Sequence, residues 1–98
     1  MLKRKLSKDD KQVKVTFVVP HDPDLPTISV VGDFNDWDPG ATPLVRRSNN
    51  TRSAAVTLKA GNRYAFRYYT EDDVWFNDDD ADAMEYNEFG TENCIIET

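Results

Sequence analysis

The chain has 98 residues, of which 39% are hydrophobic and 31% are charged, with 18 acidic against 12 basic side chains and a formal net charge of -6. This length and apolar content suit one domain with one modest core. The acidic balance argues against a nucleic-acid partner, because phosphate backbones bind basic surfaces. No apolar run approaches the ~20 residues of a spanning helix, so no membrane partner is expected.

The single cysteine bears on the compartment. Cys94 has no second cysteine with which to form an internal disulfide, and this is typical of a reducing environment. The N-terminal residues also lack the apolar segment and the small-residue cleavage site of a secretory signal. Together these features predict a cytoplasmic location.

Catalytic and metal-binding motifs are sparse. The only histidine, His21, lies among prolines in a predicted loop, and the chain has no nucleophile elbow, phosphate-binding glycine loop or Cys/His ligand pair. The acidic run at 78–82 lacks the glycine and the distal glutamate of a calcium loop, and a solvated loop is expected there. A glycosidase would need two carboxylates at a set separation, one with a raised pKa, and none lies in an evidently apolar segment. We expect no enzymatic activity, no cofactor and no bound metal.

Charge divides the chain unevenly. Residues 1–11 carry five basic and two acidic side chains, whereas residues 71–98 carry eleven acids and no lysine or arginine. The basic segment is interpreted as an N-terminal tail or a first short strand. Residues 12–98 are interpreted as one β-sandwich domain.

The strands begin with a clear alternation. Val13, Val15, Phe17 and Val19 alternate with Lys14 and other residues, the period of a half-buried strand. Turn residues separate further short strands, predicted at 28–34, around 43–46, and at 53–58, 64–69, 74–76 and 92–97. Six to eight short strands with no helical periodicity predict an all-β antiparallel sandwich. The predicted core consists of Val15, Phe17, Val30, Phe34, Val56, Leu58, Phe66 and Ile95.

Two tryptophans lie where a core does not require them. Trp37 lies in a polar turn between Asp36 and Asp38, and Trp75 follows the acidic segment 71–73. They could close the ends of the sandwich, or they could form a flat surface for a ligand, since loops at strand ends often carry function. An indole ring matches in size the apolar C–H face of a sugar ring.

Four segments, taken in order, resemble one family. Residues 30–37, Val-Val-Gly-Asp-Phe-Asn-Asp-Trp, resemble the Val-x-Gly-x-Phe-Asn-x-Trp start of the isoamylase-type early-set domain, which is the glycogen-binding module, carbohydrate-binding module family 48. Residues 62–68 resemble its Gly-x-Tyr-x-Phe-Lys-Phe strand, residues 74–78 its x-Trp-x-x-Asp segment, and residues 90–96 its terminal Gly-x-x-Asn-x-x-Ile. The domain occurs in the β subunit of AMP-activated protein kinase and in glycogen branching and debranching enzymes.

The resemblance implies an immunoglobulin-like sandwich of the early-set type that binds α-glucan. The family's sugar platform corresponds here to Trp37, Arg67, Trp75, Phe89, Thr91 and Asn93. The chain departs from the family where Arg67 replaces a lysine, where residues 71–74 replace a tighter Asp-Gly turn, and in the acidic run at 78–82.

Two functions of different classes remain open. The first is a non-catalytic module that binds α-glucan oligosaccharide or polysaccharide, such as glycogen or starch, by tryptophan stacking. The alternative is a protein-interaction or regulatory module that keeps the early-set fold without binding sugar and acts with a separate glycan-metabolising enzyme. Exposure of both indoles on one face would favour the first function.

Overall fold

The computed structural model describes all 98 residues, and it has nine β-strands and one 3₁₀ turn, at Asp33–Asn35. The strands are β1 (Leu2–Leu6), β2 (Gln12–Pro20), β3 (Ile28–Gly32), β4 (Val45–Arg46), β5 (Thr51–Lys59), β6 (Arg63–Thr70), β7 (Trp75–Phe76), β8 (Ala83–Tyr86) and β9 (Glu92–Glu97). The chain is all-β, as the sequence predicts. The structure has no helix that combines the length and apolar character needed to cross a bilayer.

Two antiparallel sheets pack face to face as a sandwich. The first sheet has the order β1-β2-β5-β4, and the second has the order β3-β6-β9-β8 with β7 paired to β6. In β2 the alternation read from the sequence holds as far as Phe17, with Val13, Val15 and Phe17 buried, but Val18 and Val19 beyond it are both buried. Lys3, Arg4 and Lys5 of the N-terminal segment belong to β1, which pairs with β2 from Leu2 opposite Phe17 to Leu6 opposite Val13, whereas Lys8 and Lys11 lie in the turn between the two strands.

Aromatic rings fill the space between the sheets. Phe17 of the first sheet meets Phe66 edge to face, with ring centroids 5.0 Å apart, and lies 6.5 Å from Tyr68. Phe34 stacks on Phe17 at 5.5 Å but is only half-buried, as is Val56. Ile95 is buried as expected, but it is not part of the main core cluster, because its neighbours on β9 turn inward instead.

Two element predictions needed correction. The predicted strand 28–34 ends at Gly32, and the chain then turns through Asp33–Asn35. Strand β8 was not predicted, because Ala83–Tyr86 shows no clear alternation of apolar and polar residues.

The acidic run at 78–82 is exposed at Asp79, Asp80 and Asp82, as the sequence indicated for a solvated loop, but Asp78 departs from that expectation. Asp78 is buried, and its Oδ2 accepts a hydrogen bond of 2.6 Å from the Tyr68 hydroxyl and one of 3.0 Å from the α-amino group of Met1. Burial raises the pKa of Asp78, but these hydrogen bonds and one from the Asp80 N–H outweigh burial and lower the pKa overall. Asp82 pairs with Arg4 at 2.8 Å. The run therefore fastens the edge of one sheet to the other.

Candidate functional site

An open groove of about 620 Å³ lies on the outer face of the second sheet. We name it the platform groove. Its lining consists of Asp33, Trp37, Arg67, Trp75, Asn87, Glu88, Phe89, Thr91 and Asn93. All six residues that the sequence indicated as a sugar platform therefore line one groove, and Asp33, Asn87 and Glu88 join them. The acidic run at 78–82 does not line it.

The β6 strand explains why the groove is on the outer face. Phe66 and Tyr68 are buried between the sheets, and side chains alternate along a strand, so Arg67 must point away from the core. Val31 pairs with Arg67 across β3 and β6 and lies on the same face.

The turn after β3 requires a residue without a side chain at position 32. A Cβ atom on Gly32 would lie 2.4 Å from the carbonyl oxygen of Ala65 and 2.9 Å from the Cβ of Phe66. Both are fixed parts of β6, so the backbone of β3 can approach β6 this closely only with glycine. Two residues later, Phe34 packs its ring on Phe17 and anchors the turn to the core.

Asn35 ties the same turn together through three hydrogen bonds. Its Oδ1 accepts from the N–H of Gly32 at 3.0 Å, and its Nδ2 donates to the carbonyl of Val30 at 2.9 Å and to the hydroxyl of Thr42 at 3.0 Å. The turn is thus closed at both ends by one side chain. The contacts of Phe34 and Asn35 therefore explain why these two residues follow the strand-ending Gly32 after one intervening residue.

This turn positions Trp37 in the groove in a fixed orientation. Trp37 and the preceding Asp36 both have φ of 57°, in the left-handed region, which is uncommon outside glycine and occurs often at functional sites. The N–H of Trp37 donates to the carbonyl of Gly32 at 3.0 Å. Its indole Nε1 donates to Asp33 Oδ1 at 3.0 Å, while Asp33 Oδ2 accepts from the N–H of Ala65 at 2.8 Å. The indole is therefore pinned through Asp33 to β6.

Trp75 is held differently, by its neighbours' side chains. It lies on β7 directly opposite Tyr69 of β6, with ring centroids 4.7 Å apart, and is 41% exposed. The guanidinium carbon of Arg67 lies 5.5 Å from the Trp75 ring centroid, within the range of a cation–π contact. Trp75 thus stands between an aromatic ring and a cation.

Arg67 is positioned by an amide rather than by a carboxylate. Its Nε donates to Asn77 Oδ1 at 2.8 Å, and its Nη1 lies 3.5 Å from the hydroxyl of Thr91. None of the ion pairs of the chain involves Arg67. Its remaining N–H groups stay available to a ligand in the groove, since a guanidinium carries five.

The opposite rim of the groove is a turn built around Asn87. The Oδ1 of Asn87 accepts from the N–H groups of Phe89 and Thr91, and its Nδ2 donates to the hydroxyl of Thr91 at 2.7 Å and to Asn93 Oδ1 at 3.0 Å. Gly90 has φ of 78°, which closes the turn. Phe89 is left 82% exposed at the turn's tip.

Sequence reasoning missed Asn87, although an asparagine three residues before a glycine is a turn signal that could have pointed to it. It also missed Asp33, whose importance depends on contacts with Trp37 and Ala65 that only the fold brings together. No three His, Cys, Asp or Glu side chains of the chain come together in a way that would hold a metal ion.

Comparison with known proteins gives one partial relationship. No model of a known protein family matches the chain. The chain is similar to the 1,4-alpha-glucan branching enzyme GlgB of Aquifex aeolicus, with 34% identity over 56 residues. The match covers 54% of this chain but only 9% of that enzyme. The chain is therefore a partial homologue of a small part of that branching enzyme.

Proposed function

We propose that this domain is a non-catalytic carbohydrate-binding module that recognises α-glucan chains such as glycogen or starch. The observation that carries the proposal is the platform groove, in which the fold assembles Trp37, Arg67, Trp75, Phe89, Thr91 and Asn93 from four separate parts of the chain. Resemblance to carbohydrate-binding module family 48 and the partial match to a branching enzyme support the same class of ligand.

Stacking supplies most of the proposed binding energy. The two indoles and the exposed Phe89 offer flat apolar surfaces, and the C–H face of a glucose ring can lie on such a surface. Stacking of a flat ligand on an aromatic ring is worth about 1–3 kcal/mol, by analogy with nucleic-acid bases. Trp37 is pinned by its indole hydrogen bond and Trp75 by its flanking side chains, so little side-chain freedom is lost on binding.

Polar groups between the aromatic rings give the sugar its hydrogen bonds. Arg67 donates from its Nε to Asn77 and keeps other guanidinium N–H groups for a ligand beside Trp75. Asn93 uses its Oδ1 to accept from Asn87, which leaves its Nδ2 free to donate to a sugar hydroxyl.

The acids of the groove support a binding role over a catalytic one. Both oxygens of Asp33 already accept hydrogen bonds, from the Trp37 indole and from the N–H of Ala65. Glu88 lies at the rim of an open groove. A glycosidase requires two carboxylates poised on either side of a bond, one of them kept protonated by its surroundings, and Asp33 is committed to positioning Trp37.

A titration of intrinsic tryptophan fluorescence with maltoheptaose tests the proposal, because Trp37 and Trp75 are the only tryptophans of the chain. We expect a saturable change with maltoheptaose and a much weaker response to cellohexaose, whose β-linkages give a straighter chain. Absence of any saturable change at millimolar maltoheptaose would contradict the proposal.

A second function is favoured by one specific observation. Met84 and Tyr86 of the edge strand β8, together with Phe89, are exposed at 44%, 76% and 82%. Exposed apolar side chains along one edge are typical of protein–protein contact surfaces. The alternative is therefore an interaction module that acts with a separate glycan-metabolising enzyme. It predicts that Tyr86→Ser weakens association with that enzyme while maltoheptaose has no effect on it.

A further inference from the structure

A second groove lies beside the platform groove on the outer face of the same sheet. It has a volume of about 450 Å³, and its lining includes Thr27, Ser29, Pro43, Tyr69 and Glu71. We name it the Tyr69 groove. None of its lining residues is among the six that the sequence indicated as a sugar platform.

The two grooves adjoin through one pair of rings. Tyr69 lines the Tyr69 groove, Trp75 lines the platform groove, and the two ring centroids are 4.7 Å apart. Tyr69 follows Arg67 by two residues on β6, so both side chains lie on one face about 7 Å apart along the strand. The two grooves are therefore neighbours on this face, joined at the contact between Trp75 and Tyr69.

One loop borders both grooves. Trp37, at the start of this loop, lines the platform groove, whereas Pro39, Gly40 and Pro43, further along it, line the Tyr69 groove. The loop runs back beside β3, because the N–H of Val30 donates to the carbonyl of Thr42 and Pro43 forms a bridge with Ser29. The wall of the Tyr69 groove is thus fixed to the sheet rather than free to move.

The chemistry of the Tyr69 groove suits an uncharged polyhydroxyl ligand. Tyr69 is half-buried and its hydroxyl is engaged by Asp73 at 2.9 Å, which holds the ring in place. Thr27 and Ser29 supply hydroxyl groups, and Glu71, which takes part in no ion pair, supplies a carboxylate acceptor. No lysine or arginine lines the groove, so a phosphate or other anion has no partner there.

We infer that the Tyr69 groove is a further sugar subsite, in which a glucan chain already held between Trp37 and Trp75 continues past Trp75 onto Tyr69. This inference rests on the proposed function. It assigns the module a preference for glucan segments longer than the platform groove alone would hold. A short oligosaccharide would fill the platform groove, and a longer one would reach Thr27 and Glu71 as well.

Calorimetric titration with maltotriose and maltoheptaose separates the two grooves. For Tyr69→Ala we expect about a five-fold or greater loss of affinity for maltoheptaose, since ~1 kcal/mol of stacking corresponds to that factor. The affinity for maltotriose should change by less than two-fold. Tyr69→Phe should bind as the wild type does, because the ring carries the contact. Tyr86→Ala, which removes an exposed tyrosine outside both grooves, is the matched control and should change neither affinity.

Because Tyr69 also touches Trp75, Glu71→Ala provides an independent variant. It should weaken maltoheptaose binding about two-fold or more and leave maltotriose binding unchanged. The inference is overturned if Glu71→Ala changes neither affinity and Tyr69→Ala either changes neither or weakens both ligands equally. The proposed function would still stand in that case if the wild type binds maltoheptaose and Trp37→Ala weakens this binding. Failure of the wild type to bind either oligosaccharide would overturn both.

Discussion

The two tryptophans of the platform groove are held in place by different interactions. Trp37 ends a turn that is fixed by backbone geometry and hydrogen bonds, through the close approach at Gly32, the three bonds of Asn35 and the indole bond to Asp33. Trp75 has no comparable hydrogen bond to its indole and lies instead between the Tyr69 ring and the Arg67 guanidinium.

Stability and binding are coupled on the Trp37 side of the groove but not on the Trp75 side. The Trp37 turn depends on Gly32, where β3 approaches β6 closely, and on Phe34, which packs on Phe17 of the other sheet, so its supporting residues cannot change without cost to the fold. The residues that flank Trp75 lie on the outer face, and changes there should alter the groove while the core stays intact. Substitutions of the supporting residues in the Trp37 turn should therefore lower both stability and sugar affinity, whereas substitutions around Trp75 should lower sugar affinity alone.

The largest effect is expected for Gly32→Ala. The new methyl group would meet the Ala65 carbonyl, which the sheet holds in place, and overpacking of this kind costs about 1–3 kcal/mol, occasionally more. Urea denaturation should show a loss of unfolding free energy at the upper end of that range. Gly40→Ala is the control, because its Cβ would meet only the Asp38 Oδ1 at 3.4 Å. An equal effect of both substitutions would contradict the close-approach explanation of Gly32.

Asn35→Ala should have the next largest effect on stability. It leaves the Gly32 N–H and the Val30 carbonyl without their partner, and each unsatisfied buried group costs about 1–3 kcal/mol. Since both groups are only part-buried and water can reach them, the lower end of that range is expected. The melting temperature and the maltoheptaose affinity should fall together. A loss of binding with no loss of stability would place Asn35 in the groove rather than beneath it.

Arg67→Ala tests the Trp75 side. It removes the cation beside the indole and the hydrogen bond to Asn77, and one lost sugar hydrogen bond is worth about 0.5–1.5 kcal/mol. Maltoheptaose affinity should fall about two- to ten-fold, while the melting temperature stays close to that of the wild type. Arg67→Lys, the residue found in the family that the sequence resembles, should recover part of the affinity. Unfolding of Arg67→Ala would show that the two sides do not differ as proposed.

Mild acid should weaken the fold at His21, which lies outside the platform groove. The neutral ring of His21 accepts a hydrogen bond of 3.1 Å from Arg52 Nε; burial, with the charges of Arg46 and Arg52, lowers the pKa of His21. The unfolded chain therefore binds the proton more readily, and stability should fall as the pH drops below the ordinary histidine pKa of about 6.5. Because the folded pKa of Asp78 is lowered, its own contribution should persist until the pH falls below the ordinary aspartate range.

His21→Gln isolates this contribution, since the glutamine carbonyl can accept from Arg52 but does not titrate. The variant should lose less stability than the wild type between pH 7.5 and pH 5, as measured by melting temperature. No histidine lines the platform groove, so maltoheptaose affinity at a temperature below melting should stay nearly constant over this range. If the melting temperatures of the variant and the wild type depend equally on pH, His21 is not the cause of the acid sensitivity.

The sequence predicted the architecture better than the details of the groove. Alternation in β2 and in β6 was sufficient to place Phe17 and Phe66 in the core, because period-two patterning directly reflects one buried face. Strand β8 was missed because an edge strand of four residues needs no alternation when both of its faces are largely exposed.

The residues that the sequence could not indicate are those whose role depends on distant contacts. Asp78 was expected to be solvated because it begins an acidic run. It is buried instead, and it accepts a hydrogen bond from the hydroxyl of Tyr68, ten residues away. Tyr69 looked like an ordinary outward residue of a strand until pairing with β7 placed it beside Trp75. No local pattern encodes either contact.

The most direct test of the account is a paired measurement on Trp37→Ala and Trp75→Ala, with melting temperature and maltoheptaose affinity determined on each protein. We expect both variants to remain folded, with melting temperatures close to that of the wild type, and each to lose affinity about five-fold or more, because about 1 kcal/mol or more of stacking is lost. Unfolding of Trp37→Ala, or wild-type affinity in both folded variants, would contradict the claim that the two indoles form a binding surface.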